Sequence, residues 1–176
     1  WILNLPGENF TDMYFTDSLT GWKCTNNINQ AGTIRYTTNG GNNWILQNTI
    51  PEVPPFSFSR MYKFSFVNKD TIWGVGGNYS FTSFQSRGII YKTTNSGLNW
   101  GYQLPDSSIN VYLYSTIQFI NKNHGWAYSL QQGGVHTVNG GDTVTYFTGV
   151  QQISSEIPKE FELKQNFPNP FNPVTN

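Results

Sequence analysis

The sequence predicts an all-β protein made of repeated four-stranded units, and three observations predict it. First, an eight-residue phrase recurs: Thr37-Thr38-Asn39-Gly40-Gly41-Asn42-Asn43-Trp44, then Thr93-Thr94-Asn95-Ser96-Gly97-Leu98-Asn99-Trp100. A worn third copy is Thr137-Val138-Asn139-Gly140-Gly141-Asp142-Thr143-Val144. Second, a longer pattern of short strands recurs around each phrase, with Trp22, Trp73 and Trp126 spaced about 50 residues apart. Third, apolar and polar residues alternate, as in Tyr62-Lys63-Phe64-Ser65-Phe66, while helical spacing is nearly absent. Units of about 40–50 residues with four strands each have the period of β-propeller blades.

The elements follow in order. The first unit holds Met13–Asp17, Gly21–Cys24 and Gly32–Tyr36, then the phrase, then a strand opening at Trp44. The second holds Lys63–Asn68, Thr71–Gly76 and Gly88–Lys92, and the third Ile117–Asn121, Gly125–Tyr128 and Gly133–His136. Within the phrase, Asn and Gly tolerate positive φ, and an Asn side chain can hydrogen-bond backbone amides just ahead. The flanking Thr and Trp favour strands, so the phrase predicts a hairpin with an indole laid over its own turn. Two stretches exceed the period, Pro51–Arg60 and Gly77–Arg87. Both are rich in Pro, Ser, Gly and Asn and read as loops. The predicted boundaries are 1–6, 7–50, 51–106 and 107–153 for the repeats.

Composition narrows the function classes. Ten basic residues balance ten acidic ones, which argues against a nucleic-acid or anionic-lipid partner. Cys24 is the single cysteine, so no intrachain disulfide and no cysteine-based metal site can form; it reads as a small buried residue in a strand. No apolar run approaches the roughly 20 residues of a membrane helix. No glycine-rich loop opens a helix, so no nucleotide cofactor is implied.

The opening Trp1-Ile2-Leu3-Asn4-Leu5-Pro6 matches Trp44-Ile45-Leu46-Gln47 and Trp100-Gly101-Tyr102-Gln103-Leu104-Pro105. Trp1 therefore reads as the end of a further copy. Three units and a strand cannot close a ring, so the expectation is either a longer parent or self-association through open blade edges. At the other end, three prolines within Pro168–Pro173 forbid a central strand and mark 154–176 as a linker and a separate region.

Two family resemblances cover most of the chain. The phrase resembles the Asp-box, Ser/Thr-x-Asp/Asn-x-Gly-x-x-Trp, met in sialidase-type repeats, sortilin-like propellers, some glycoside hydrolases and photosystem II assembly factors. Thr37, Asn39, Gly41 and Trp44 fit it, as do Thr93, Asn95, Gly97 and Trp100; Thr137, Asn139 and Gly141 fit in the third copy, where Val144 replaces the Trp. The upstream Phe-x-Asn…Gly-Trp element is closer to the assembly-factor and sortilin branches. The resemblance implies a propeller scaffold, with the Asp-box as a structural turn remote from any catalytic centre. The tail around Leu163, Gln165, Asn166, Pro168, Asn169, Pro170, Phe171, Asn172 and Pro173 resembles the opening of the immunoglobulin-like type A sorting domain of type IX secretion. That resemblance implies engagement by the type IX secretion machinery and an extracellular or outer-membrane location.

Candidate chemistry is thin. A sialidase-like centre needs converging arginines, and Arg35, Arg60 and Arg87 occupy non-equivalent places in their repeats. A glycosidase needs a carboxylate pair; Asp17 and Asp70 instead fall in turns, where Asp is an ordinary residue. His124 and His136 have no metal-ligand spacing. No catalytic residue, metal site or cofactor is predicted. Trp22, Trp73 and Trp126 could stack on sugars, but their equivalent positions favour packing between blades. The aromatics outside the repeat pattern, Phe56, Phe58, Tyr79, Phe81 and Phe84, are the candidate binding residues, because loops on a rigid scaffold commonly carry recognition. The expected function is a secreted, non-enzymatic interaction or assembly module whose partner is a surface protein or glycan. The alternative is part of a carbohydrate-active enzyme with its catalytic residues elsewhere.

Overall fold

The structure is a computed structural model that describes residues 10–25, 33–49, 55–57, 60–82, 85–141 and 143–147. The described secondary structure is all strand, arranged in three antiparallel sheets. The first is a meander of β1 (Phe10–Phe15), β2 (Gly21–Thr25), β3 (Thr33–Thr37) and β4 (Ile45–Thr49), in that spatial order. The second contains β5 (Phe56–Ser57), β6 (Lys63–Phe66), β7 (Ile72–Thr82), β8 (Gln85–Thr93) and β9 (Gly101–Gln103). The third is β10 (Thr116–Phe119), β11 (Gly125–Ser129) and β12 (Gly133–Thr137).

One local device is built three times, in the turns that join β1 to β2, β6 to β7 and β10 to β11. Asp17 Oδ1 accepts from the amides of Leu19 and Thr20, both at 2.8 Å. Asn68 Oδ1 does the same for Asp70 and Thr71, and Asn121 Oδ1 for Asn123 and His124. These are side-chain-closed turns, which reverse the chain within a few residues and set the register of the strands they join. The two amide bonds hold the exposed Asp17 carboxyl below the usual carboxylate range.

Alternation then gives each sheet two apolar faces, and the cores lie between consecutive sheets. Trp22, Cys24 and Ile34 of the first sheet pack with Phe64, Ile72 and Tyr91 of the second. Trp73 and Val75 of the second pack with Ile117, Phe119 and Ala127 of the third. Trp73 stacks on Phe119 with ring centroids 3.9 Å apart, and Trp22 lies 5.4 Å from Phe66. The equivalent positions thus do pack between sheets, for two of the three. Trp126 is 37% exposed, against 1% for Trp22 and 0% for Trp73. Cys24 is buried in β2, and burial pushes its thiol up to about 12.

Two expectations are corrected. Within the stretch read as a loop, Gly77–Thr82 and Gln85–Arg87 are the far half of a long hairpin, β7 with β8. Tyr79, Ser80 and Phe81 continue the strand beyond a bulge at Val75/Asn78, where Gly76 takes φ +147°. The extension has its own partner: Phe56 and Ser57, expected in the other loop, pair with Tyr79 and Asn78, and Ser80 N donates to Pro55 O at 2.6 Å. The second correction concerns the third unit, expected to have a fourth strand after its phrase. The strand there, β13 (Thr145–Tyr146), pairs with β9 of the second sheet instead. Val144 brings no indole to hold the chain beside β12, while Gly101 leaves room for it beside β9. A Cβ at Gly101 would stand 2.5 Å from Val144 Cγ1 and 2.6 Å from Thr145 O. Phe147 N then donates to Trp100 O at 3.1 Å, which fixes the redirected segment.

Candidate interaction surface

The three phrases form one turn. Thr37 Oγ1 accepts from Gly41 N at 3.0 Å and donates to Asn39 Oδ1 at 3.0 Å; Asn39 Oδ1 accepts from Asn43 N at 2.9 Å. Thr93, Gly97, Asn95 and Asn99 repeat the arrangement at the same distances. In the third copy Thr137 Oγ1 accepts from Gly141 N at 2.8 Å, and Asn139 Oδ1 accepts from Gly141 N. Left-handed backbone falls on Gly40 and Gly41, on Ser96 and Gly97, and on Gly140 and Gly141. Each turn is also tied to the other hairpin of its sheet, since Gly40 N, Ser96 N and Gly140 N donate to Leu19 O, Asp70 O and Asn123 O. Trp100 is buried, whereas Trp44 is half-buried, edge-on to Phe15 with Lys23 Nζ 4.7 Å above its ring.

Of the predicted recognition aromatics, Phe56, Tyr79 and Phe81 lie in one cluster; Phe58 and Phe84 are outside the described residues, as are all the sorting-motif positions from Leu163 to Pro173. Phe56 meets Tyr79 edge-on at 5.6 Å, and Tyr79 meets Phe81 at 4.9 Å. The strand pairing of β5 with β7 and of β13 with β9 adds two rings that sequence reasoning did not single out. Tyr102 lies 5.0 Å from Phe56, and Phe147 lies 5.5 Å from Phe56 and 5.6 Å from Tyr102. Phe56, Tyr79, Tyr102 and Phe147 are partly buried against the core. Phe81 is different: it is 46% exposed, near the tip of the β7–β8 hairpin.

The Arg87 guanidinium lies 4.6 Å over the Phe81 ring, and its Nη1 donates to Pro105 O at 2.9 Å. An exposed ring held under a fixed guanidinium offers both an apolar face and unspent donors. Beside the pair is an open depression of about 410 Å³ lined by Phe81, Gln85, Ser86, Arg87, Ser107 and Asn110.

The described charged side chains make contacts within and between the sheets. Asp12 accepts from Phe64 N at 2.8 Å and pairs with Lys63 at 3.2 Å, joining the first two sheets. Asp70 accepts from Ser96 Oγ at 2.6 Å, and Asp106 from Ser108 N at 2.8 Å. Arg35 sits on β3 of the first sheet and Arg87 on β8 of the second. His124 Nδ1 lies 3.1 Å from Asn121 Oδ1 in a turn, and His136 pairs across the strands with Trp126. Among the described residues no group of three His, Cys, Asp or Glu is placed to hold a metal ion.

A repeated glutamine was missed. Gln47 Oε1 accepts from Trp22 Nε1 at 3.0 Å, and Gln47 Nε2 donates to Ser96 O at 2.9 Å, in the turn of the next unit. Gln103 donates to Gly140 O at 3.3 Å, in the corresponding turn one unit on. The signal was present as a Gln three residues after each phrase-ending Trp.

No family model matches the chain, and no curated protein matches it. Among solved structures it is similar to a chain described as YCF48 bound to D1 peptide, with a TM-score of 0.57 and 19% identity over 82% of this chain. It is similar also to YCF48 from Cyanidioschyzon merolae, with a TM-score of 0.55 and 18% identity over 79%. The architecture is that of a β-propeller. The chain spans about two fifths of the length of these structures, 41% and 39%. Its three sheets are therefore propeller blades, the first, second and third in chain order.

Proposed function

We propose that this chain belongs to a non-enzymatic propeller that binds an extended segment of a protein partner at the rim formed by the β7–β8 hairpin. The exposed Phe81–Arg87 pair carries the proposal. Aromatic and arginine side chains dominate binding hot spots, and here both are presented on paired strands, not on a bare loop. The polar walls of the adjacent depression, Ser86, Ser107 and Asn110, suit the backbone of an extended peptide. A fold neighbour described with a bound peptide supports the same use of this architecture. The test is an array of peptides and glycans probed with the wild-type chain and with F81A/R87A. Peptide binding weakened about thirtyfold or more in the variant is the expected result. Binding to glycans alone, or peptide binding untouched by the variant, would overturn it.

We further propose that the parent protein is exported by type IX secretion, on the strength of the run Leu163-Lys164-Gln165-Asn166-Phe167-Pro168-Asn169-Pro170-Phe171-Asn172-Pro173. Such a run is an address read by the machinery and leaves the binding surface unspecified. In a host with an intact type IX system the protein is expected in the medium or on the outer surface. In a translocon-deficient strain it is expected to accumulate in the periplasm, and an unchanged distribution would sink the idea.

A further inference from the structure

Two junctions of one design are finished differently. In the first, between the first and second blades, the Trp100 indole is 1% exposed, packed in one core with Ile34 and Tyr91 and 6.3 Å from Phe64. The turn closes over it: a Cβ at Gly97 would stand 3.0 Å from Trp100 Nε1, and Gln47 holds that turn through Ser96 O. Strand register carries each wall one unit onward. Trp22 pairs with Tyr36, Trp73 with Lys92 and Trp126 with His136, so Ile90 is the counterpart of Ile34 and Val135 that of Tyr91. Gln103 and Gly141 are likewise the counterparts of Gln47 and Gly97, and Gln103 bonds the Gly140 carbonyl as Gln47 bonds that of Ser96.

At the second junction the counterpart of Trp100 is Val144, and it is held elsewhere. Its Cγ1 lies against Gly101, Thr145 and Tyr146 pair with Tyr102 and Gly101 of β9, and Phe147 N donates to Trp100 O. The walls remain in place. Among the described residues they border an open cleft of about 280 Å³, with Val135 where the first junction has the larger Tyr91. Its apolar lining comes from Ile90, Ile109, Phe119 and Val135, and its polar lining includes Asp106 and Asn139. Small-molecule sites are mostly apolar clefts of roughly 300–1,000 Å³ with a few placed polar groups. This cleft has that character at the small end of the range, the scale of a single ring system. Apolar cavities of such size take up small aromatic molecules in preference to water.

We propose that the cleft between the second and third blades binds a small planar aromatic molecule of the indole class. The class follows from the first junction, where walls of the same kind enclose an indole. The ring lies between Ile90 and Val135 beside the Gly141 turn, and a side-chain oxygen of Asp106 or Asn139 accepts from its N–H. This site is separate from the Phe81–Arg87 rim and does not depend on the function proposed for it.

NMR titration of the methyl-labelled full chain with free indole tests the inference. Indole is expected to bind with a Kd on the order of 0.1 mM and to show cross-relaxation with the methyl groups of Ile90 and Val135. N-methylindole, which has no N–H to donate, is expected to bind about threefold to tenfold more weakly. V135W, which puts a ring of the protein's own into the cleft, is expected to weaken indole binding about tenfold or more, whereas F81A leaves it unchanged. Cross-relaxation in the wild-type chain locates the ligand whether or not V135W folds. Silence of the Ile90 and Val135 methyls up to about ten times the expected Kd, or contacts scattered over other methyls, would overturn the inference. So would N-methylindole binding as tightly as indole. A short Trp-bearing peptide that reaches the same methyls with about tenfold higher affinity than indole would replace the small molecule with a docked polypeptide.

Discussion

Replacing Trp73 with Ala lowers the unfolding free energy by about 3–5 kcal/mol in a urea titration, the usual loss for a fully buried large aromatic. Trp73 is 0% exposed, stacks on Phe119 at 3.9 Å and lies 4.8 Å beneath Lys92 Nζ, so its removal opens a cavity in the second junction and leaves a half-buried cation without its ring. The same change at Trp126 is expected to cost about 1 kcal/mol or less, as for other surface substitutions. The two residues hold equivalent positions in the repeat, and among the described residues only Trp73 has a following sheet packed against it. Equal losses would mean that the indoles stabilise their own sheets and not the junctions.

Gly97→Ala is expected to destabilise by about 2–4 kcal/mol. Part of this is backbone: φ is +80° there, and an L-residue in left-handed conformation costs about 1–2 kcal/mol. The rest is contact, because the new Cβ would collide with the Gln47 carboxamide and break its bond to Ser96 O, worth about 1 kcal/mol. Gly133 separates the two contributions. Its φ is +85° and a Cβ there meets nothing within 4 Å, so Gly133→Ala carries the backbone cost alone. Thermal or urea unfolding of the pair measures the difference, and indistinguishable midpoints would remove Gln47 from the account of the junction.

What could be read from the sequence follows the range of the interactions concerned. The turns were legible because Thr37, Asn39 and Gly41 act on one another within five residues, and the turn chemistry repeats in three places. The strand pattern was legible for the same reason, since alternation is local. The Gln47 bond was not, because its acceptor Ser96 lies 49 residues away and a glutamine in a strand otherwise reads as solvent-facing. The β7–β8 extension was hidden by its composition. Gly, Asn and Ser suggested a loop, but the short β5 strand gave Asn78 and Tyr79 a partner, and pairing outweighed propensity. The loss of a fourth strand beside β12 did leave a mark, the Val at position 144, whose effect depends on a neighbouring edge that sequence does not display. Of the candidate surface, Phe56, Tyr79 and Phe81 were picked out as aromatics outside the repeat. Tyr102 and Phe147 were not, since one sits in an ordinary strand position and the other arrives only because its segment is redirected.

The glutamine contacts also give the fold a sense of direction. In both junctions the donor belongs to the earlier unit and the acceptor carbonyl to the later one, so a unit carries its own fastener forward and offers a receiving turn backward. Duplicating such a unit therefore copies both halves of the joint at once, and a lengthened array needs no new residue to hold it. The Thr and the Gln need only be inherited together, on a stretch short enough to travel in a single duplication.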